Sequence, residues 1–355
     1  MKHFLWSCRF EPTDYFPFPN EVTLNQTREL FKAPHLASAV LLFSTFLVGV
    51  VGNGLYLWVL GVKMRRTVTT LWFLHLIFCC LLATLLIPFF AIYVLLGFHW
   101  VFSTAICKLH YTCTDLGMFS SVFLLAFISL DRYALTCHPI WCRHHRTLPR
   151  AKKLVMGMWL VAFILSAPNL AFRKTYMVDG SRIICNNSYS LSEDWNGTEM
   201  QAKVQLAVFT VQFLLSFLLP FCTIAACYVW MGLEMKVKGL AQSGKPFKVM
   251  VASVVSFFVF WLPYHVYLCL GLARNVSASL KETFLVIVTV TFCFNVCFTP
   301  VLYLFIGETF QQVLRTSLLA LVKAAFDEDL NTDESGPESS GRQGPEISSM
   351  EMEKN

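Results

Sequence analysis

Seven long stretches carry almost no charge, and nothing else in this sequence limits its fold so severely. They run Leu36 to Val62, Val68 to Phe98, Leu109 to Leu130, Leu154 to Phe172, Val204 to Leu233, Val249 to Ala273 and Thr283 to Ile306. A helix crossing roughly 30 Å of hydrocarbon needs about 20 apolar residues, and each stretch supplies that length. Histidines aside, Asp115 in the third is their only acidic or basic residue. The chain is 56% hydrophobic and 14% charged, outside the range of soluble domains, so an all-α bundle of seven membrane spans is expected. A β-barrel would need strands of about ten residues with alternating polarity. Pro88, Pro168, Pro220, Pro263 and Pro300 fall inside spans, where neighbouring helices can satisfy the carbonyls they free.

Charge in the connections sets the expected orientation. Lys63, Arg65 and Arg66 follow the first span, Arg143, Arg146, Arg150, Lys152 and Lys153 follow the third, and Lys236, Lys238, Lys245 and Lys248 follow the fifth. Positive loops face the cytoplasm, which puts the N-terminus outside. Glycosylation sequons at Asn25, Asn186, Asn196 and Asn275 all fall on the outer side of that assignment. Met1 to Phe10 lacks a sustained apolar core, so no cleaved signal peptide is expected. The net charge of +6 is spent on topology, leaving no nucleic-acid footprint.

The residues divide into an extracellular segment 1–34, a bundle 35–307, an amphipathic helix 308–325 along the inner membrane face, and a disordered acidic tail 326–355. Phe310, Val313, Leu314 and Leu318 give the third segment its apolar face. No cysteine follows it, so palmitoyl anchoring is not available there. Of thirteen cysteines, Cys79, Cys80, Cys113, Cys222, Cys227, Cys293 and Cys297 lie inside spans as small packing residues. Cys107 and Cys185 lie in the oxidising outer compartment, where a bridge closing about eighty residues is worth roughly 4 to 5 kcal/mol. Cys8 and Cys269 are either a second outer pair or two thiols.

The motifs in these spans resemble, in order and spacing, the rhodopsin-like G-protein-coupled receptors. Gly52-Asn53-Gly54 stands in the first span, Asp131-Arg132-Tyr133 ends the third, and Trp159 marks the fourth. Pro220 precedes Tyr228 in the fifth, Phe257, Trp261, Leu262 and Pro263 occupy the sixth, and Pro300 and Tyr303 the seventh. Trp100 lies in the first outer loop and Cys107 stands 25 residues before Arg132. Asp131 to Thr147, Thr67 to Thr70 and Lys245 to Lys248 further resemble the chemoattractant group of formyl-peptide, chemerin and thirty-three-type orphan receptors.

That resemblance implies a plasma-membrane receptor without enzymatic activity or cofactor. It would take an extracellular ligand, a peptide or protein rather than a fatty acid, and engage a heterotrimeric G protein of the inhibitory class and arrestin. Asp131 would pair with Arg132 where water is scarce, and Tyr133, Tyr228 and Tyr303 would complete the switch. The plain alternative for Arg132 is a snorkelling anchor. Trp261, Pro263, Phe257, Pro220 and Val122 would relay ligand position, with the hinge at Pro263; core packing is the other reading of Trp261. Asp115 is either the counter-charge of a cationic ligand group or satisfied internally, and Gln212, Tyr264, His265, Tyr93, His110 and Thr289 would line the pocket with it. With Gln212 facing that pocket from the fifth span, a ligand carboxylate has no evident clamp.

Two departures from the family pattern stand out. Cys80 occupies the position of the second span's aspartate and Thr299 that of the residue before Pro300, while Ser121 and Asn295 remain. Together these four normally cage sodium, and a neutral thiol is a poor ligand for so hard a cation. No sodium effect is therefore expected. The same loss leaves room for a scavenging or arrestin-only receptor. A transporter would want paired intramembrane charges, and a membrane hydrolase a metal cluster; neither pattern is written in the chain. Ser335, Ser339, Ser340, Ser348 and Ser349 are candidate phosphorylation sites for arrestin recruitment, or parts of a solvating tail. Glu11, Asp14 and Tyr15 form an acidic aromatic patch suited to a basic ligand.

Overall fold

The computed structural model describes residues 21–178, 182–189, 198–238, 245–273 and 276–304, and beyond them positions 312–313, 315–316 and 319–320. The bundle is built from α1 (Glu21–Trp58), α2 (Val68–Leu95), α3 (Thr104–Cys137), α4 (Pro139–His145), α5 (Leu148–Ser166), α6 (Pro168–Phe172), α7 (Thr198–Phe213), α8 (Leu219–Val237), α9 (Lys245–Leu272) and α10 (Ala278–Leu304). Among the described residues six stretches are long and apolar enough to cross a membrane, and the described apolar part of the seventh is Thr283–Cys297. The seven-span helical bundle expected from the sequence is the one observed. Helix α1 begins at Glu21, fifteen residues before the first apolar stretch.

Local chemistry explains most of the breaks. Thr67 and Thr70 cap α2 reciprocally, Thr67 N donating to Thr70 Oγ1 at 2.7 Å and Thr70 N to Thr67 Oγ1 at 3.1 Å. At its other end the chain turns through Gly97 and Phe98, both in the left-handed region at φ 64° and 61°. For Phe98 that conformation is costly, and its ring is held against Tyr93 and His35. Pro168 does not sit inside a continuous fourth helix: α5 stops at Ser166 and the proline opens α6, where its missing N–H costs nothing. The fifth span is also divided, by a π-helical turn at Leu214–Leu218, after which Pro220 stands in the first turn of α8. Pro88 and Pro263 do remain within α2 and α9.

Burial follows an inside-out logic suited to lipid. Leu42, Ile87, Ala91, Val94, Cys293 and Val296 join α1, α2 and α10 in one cluster. Outward, Leu47, Val51, Met156 and Trp230 are more than 60% exposed, an apolar belt that hydrocarbon covers at no cost. Close approach of α1 depends on Gly49, where an added Cβ would lie 2.8 Å from Thr84 Cγ2 and 2.9 Å from Val296 Cγ1. Fully buried Asn53 donates to the Gly49 carbonyl at 2.9 Å, and Trp159 Nε1 donates to His75 Nδ1 at 3.3 Å, tying α5 to α2.

One element was not foreseen. Between α6 and α7 the chain forms an antiparallel hairpin of β1 (Arg173–Val178) and β2 (Arg182–Asn187), with Thr175 opposite Cys185. Beyond the bundle, described positions 312–313, 315–316 and 319–320 are helical, and Thr316 Oγ1 donates to the Gln312 carbonyl at 2.8 Å. The rest of 308–325 and the tail lie outside the described residues.

Candidate functional site

A disulfide joins Cys107 at the start of α3 to Cys185 on β2, with Cα atoms 5.9 Å apart. Trp100 packs on it, 1% exposed, and Trp100 N donates to the Ile183 carbonyl at 2.8 Å. The first loop thus runs along the outer edge of β2, where Ile183 N donates to His99 Nδ1 at 3.1 Å. Cys269 is exposed on α9, and Cys8 lies outside the described residues, as does Asn196. Asn186 is exposed on β2, the side chain of Asn25 is not described, and Asn275 lies outside the described residues.

Beneath the hairpin the residues expected to line a pocket separate into groups. Asp115 is answered from within: Asn169 Nδ2, on α6, donates to Asp115 Oδ2 at 2.6 Å. Arg173, the first residue of β1, donates through Nε to Asn169 Oδ1 at 3.3 Å and lays its guanidinium 3.5 Å over the Tyr111 ring. Arg173 thus sets a half-buried cation beside Asn169 and Tyr111, a charge left out of the expectation that a ligand carboxylate finds no clamp. Sequence reading missed it because its position depends on the hairpin and on Pro168 redirecting the chain. Gln212 Nε2 donates to Tyr264 Oη at 3.3 Å, and Tyr264 packs on Trp261.

His265 does not open to that space. It is 3% exposed, 3.4 Å from Ser216 Oγ, among Phe213 and Phe217. The π-helical turn is the physical reason, since it presents Ser216 inward toward α9. His110 and Tyr93 pack around Trp100, and buried Thr289 spends its hydroxyl on the Leu285 carbonyl at 2.9 Å.

Deeper, Trp261 and Phe257 pack with ring centroids 5.9 Å apart and planes tilted by 38°. Val122 is fully buried, and so is Pro220. A cavity of about 50 Å³ lies below Trp261, lined by Cys79, Cys80, Thr114, Ser121, Phe257 and Asn295 among others. Trp261 Nε1 is buried without an acceptor among the described residues. The cavity's described walls carry thiols, hydroxyls and an amide but no carboxylate, a donor set that does not fit sodium. The side chain of Thr299 is not described. Changing Cys80 to Asp is expected to make agonist affinity fall about tenfold on exchanging potassium for 100 mM sodium, against no change in the parent; sodium inhibition of the parent would refute this.

At the opposite end of α3 the ion pairing differs from expectation. Asp131 does not pair with its neighbour. Arg146, delivered by α4, donates from Nε to Asp131 Oδ1 at 2.7 Å and from Nη2 to Oδ2 at 3.0 Å. Adjacent residues on a helix diverge by about 100°, so a fork reaching in from the loop has the better geometry. Arg146 Nη2 also donates to Thr69 Oγ1 at 2.8 Å, and Arg132 Nη2 reaches the same hydroxyl at 3.3 Å. Tyr133 Oη lies 3.4 Å from His138 Nε2, and Tyr228 is half-buried beside Ser129 and Arg132. The side chain of Tyr303 is not described.

Comparison with known proteins follows the same lines. The family profile "7 transmembrane receptor (rhodopsin family)" matches residues 52–303. "Probable G-protein coupled receptor 33" of Homo sapiens is 43% identical over 320 residues, covering 89% of this chain and 96% of the relative. Its Mus musculus counterpart is 45% identical over 312 residues, 87% and 91% of the two chains. "N-formyl peptide receptor 2" of Homo sapiens is 34% identical over 306 residues, 82% and 85%.

Proposed function

The chain belongs to the rhodopsin family of seven-transmembrane receptors, and from that premise we propose that it binds a carboxylate-bearing peptide or protein outside the cell and activates an inhibitory-class G protein. In this reading the N-terminus and hairpin face outward at the plasma membrane. The basic ends near Lys63, Arg65, Arg66 and Arg146 face the cytoplasm. The observation that carries the ligand class is Arg173. It is half-buried and stacked on Tyr111, while Asn169 takes the Asp115 carboxylate, so the guanidinium keeps donors for an incoming anion. Likeness to a formyl-peptide receptor supports a peptide over a lipid.

The test is a panel of G-protein dissociation and arrestin recruitment in transfected cells, run with chemoattractant peptides bearing a free or an amidated C-terminus. Arg173→Ala is expected to weaken the free-carboxylate peptides about tenfold to hundredfold, the value of a hydrogen bond between charged groups, and the amidated ones little. Equal loss for both would overturn the carboxylate assignment. A thiol at Cys80, in the cavity under Trp261, favours a second reading, an arrestin-only receptor. Internalisation without nucleotide exchange on any G protein would select it.

A further inference from the structure

Asp131 offers two carboxylate oxygens, and Arg146 takes both in the parallel fork that guanidinium and carboxylate form best. The pair is well sheltered, the Asp131 side chain 9% exposed and that of Arg146 22%. Arg132, the next residue along α3, is left with a long contact to Thr69 Oγ1. Its Nε is buried with no acceptor among the described residues, which is how a guanidinium looks when another cation holds its carboxylate.

We infer that Arg146 is a positioning residue for the switch: by occupying Asp131 it keeps Arg132 off that carboxylate, so that Arg132 stands ready for a G protein. Thr69 is the shared post. Its hydroxyl accepts from both guanidiniums and ties the α4 loop and α3 to the start of α2. Without Arg146, Asp131 would be a sheltered carboxylate lacking a partner, a costly state that the adjacent Arg132 relieves by turning to it. Loss of this ion pair therefore closes the switch instead of opening it. The inference rests on the receptor reading above for its signalling consequence, and on geometry alone for the competition between the two arginines.

Full-length receptor in membranes with purified heterotrimeric G protein supplies the first measurement. Arg146→Ala is expected to lower basal nucleotide exchange about tenfold, and Arg146→Lys, which lacks the fork, by less. Adding Asp131→Asn to Arg146→Ala is expected to restore exchange, because nothing then holds Arg132. A merely structural role for Arg146 gives no such recovery. Unchanged or raised basal exchange in Arg146→Ala, or no recovery in the double variant, would overturn the proposal.

Thermal unfolding of the purified receptor reads the same competition without a G protein. Asp131→Asn and Arg146→Ala are expected to be strongly non-additive, Asp131→Asn and Arg132→Ala only weakly so, and the coupling of the second pair to grow once Arg146 is gone. Coupling between Asp131 and Arg132 as large in the parent as in the Arg146→Ala background would sink the inference even if the protein signals. Absence of all exchange beside the expected unfolding pattern would instead sink the G-protein coupling of the proposed function alone.

Discussion

Replacing Cys185 with serine is expected to strip most of the receptor from the cell surface and to abolish ligand response in what remains. The bridge to Cys107 closes 78 residues, for which the chain-entropy relation gives about 4.5 kcal/mol. That is a large share of a folded protein's margin of about 5 to 15 kcal/mol. The sulfurs also pack with Trp100, and β2 is the strand on which β1 is registered, Thr175 opposite Cys185. Arg173 opens β1, so loosening the hairpin displaces the cation proposed for ligand recognition. Cys107→Ser and the double variant are expected to match Cys185→Ser, since each removes the same bond. An extracellular epitope tag counted by flow cytometry, with ligand potency alongside, checks this. Surface level and potency within twofold of the parent would contradict it.

Arg132→Ala is expected to reduce agonist-driven nucleotide exchange at least about a hundredfold while leaving ligand affinity within about threefold. Arg132 lies at the far end of α3 from the hairpin, so its removal does not touch the outer groups around Arg173. Two or more charge-assisted hydrogen bonds to a docked G protein would each contribute roughly 1.5 to 3 kcal/mol, which sets the scale. A snorkelling anchor would behave differently, because lysine would serve it equally well and alanine would cost expression instead of exchange. Parallel radioligand binding and exchange assays on Arg132→Ala and Arg132→Lys separate the two. Exchange at parental level in the alanine variant would remove Arg132 from the mechanism.

The spans were legible in the sequence because lipid leaves a simple record, a run of apolar residues as long as the hydrocarbon is thick. Cys107 and Cys185 could be singled out by compartment, leaving Cys8 and Cys269 as the other outer candidates. Pairings between side chains were harder to read. Asp131 and Arg132 are adjacent in the chain, yet the carboxylate chose Arg146, fifteen residues on, because α4 folds the loop back. Asn169 and Arg173 carried no motif, and only the break at Pro168 and the hairpin bring them to Asp115 and Tyr111. Gln212 and Tyr264, both expected to line one pocket, are hydrogen-bonded to each other, and His265, expected beside them, is 3% exposed and packed against Ser216, Phe213 and Phe217.

The wide turn at Leu214–Leu218 affects how pharmacology is carried from one receptor to another. A π-type turn accommodates one surplus residue, so everything upstream is swung about 100° round the axis relative to a straight rod. Contact maps borrowed from a relative whose fifth helix is regular would assign the wrong sides of residues 200–213 to a bound compound. For a template of that kind, sliding the alignment by one position there restores the correct faces before a compound is docked.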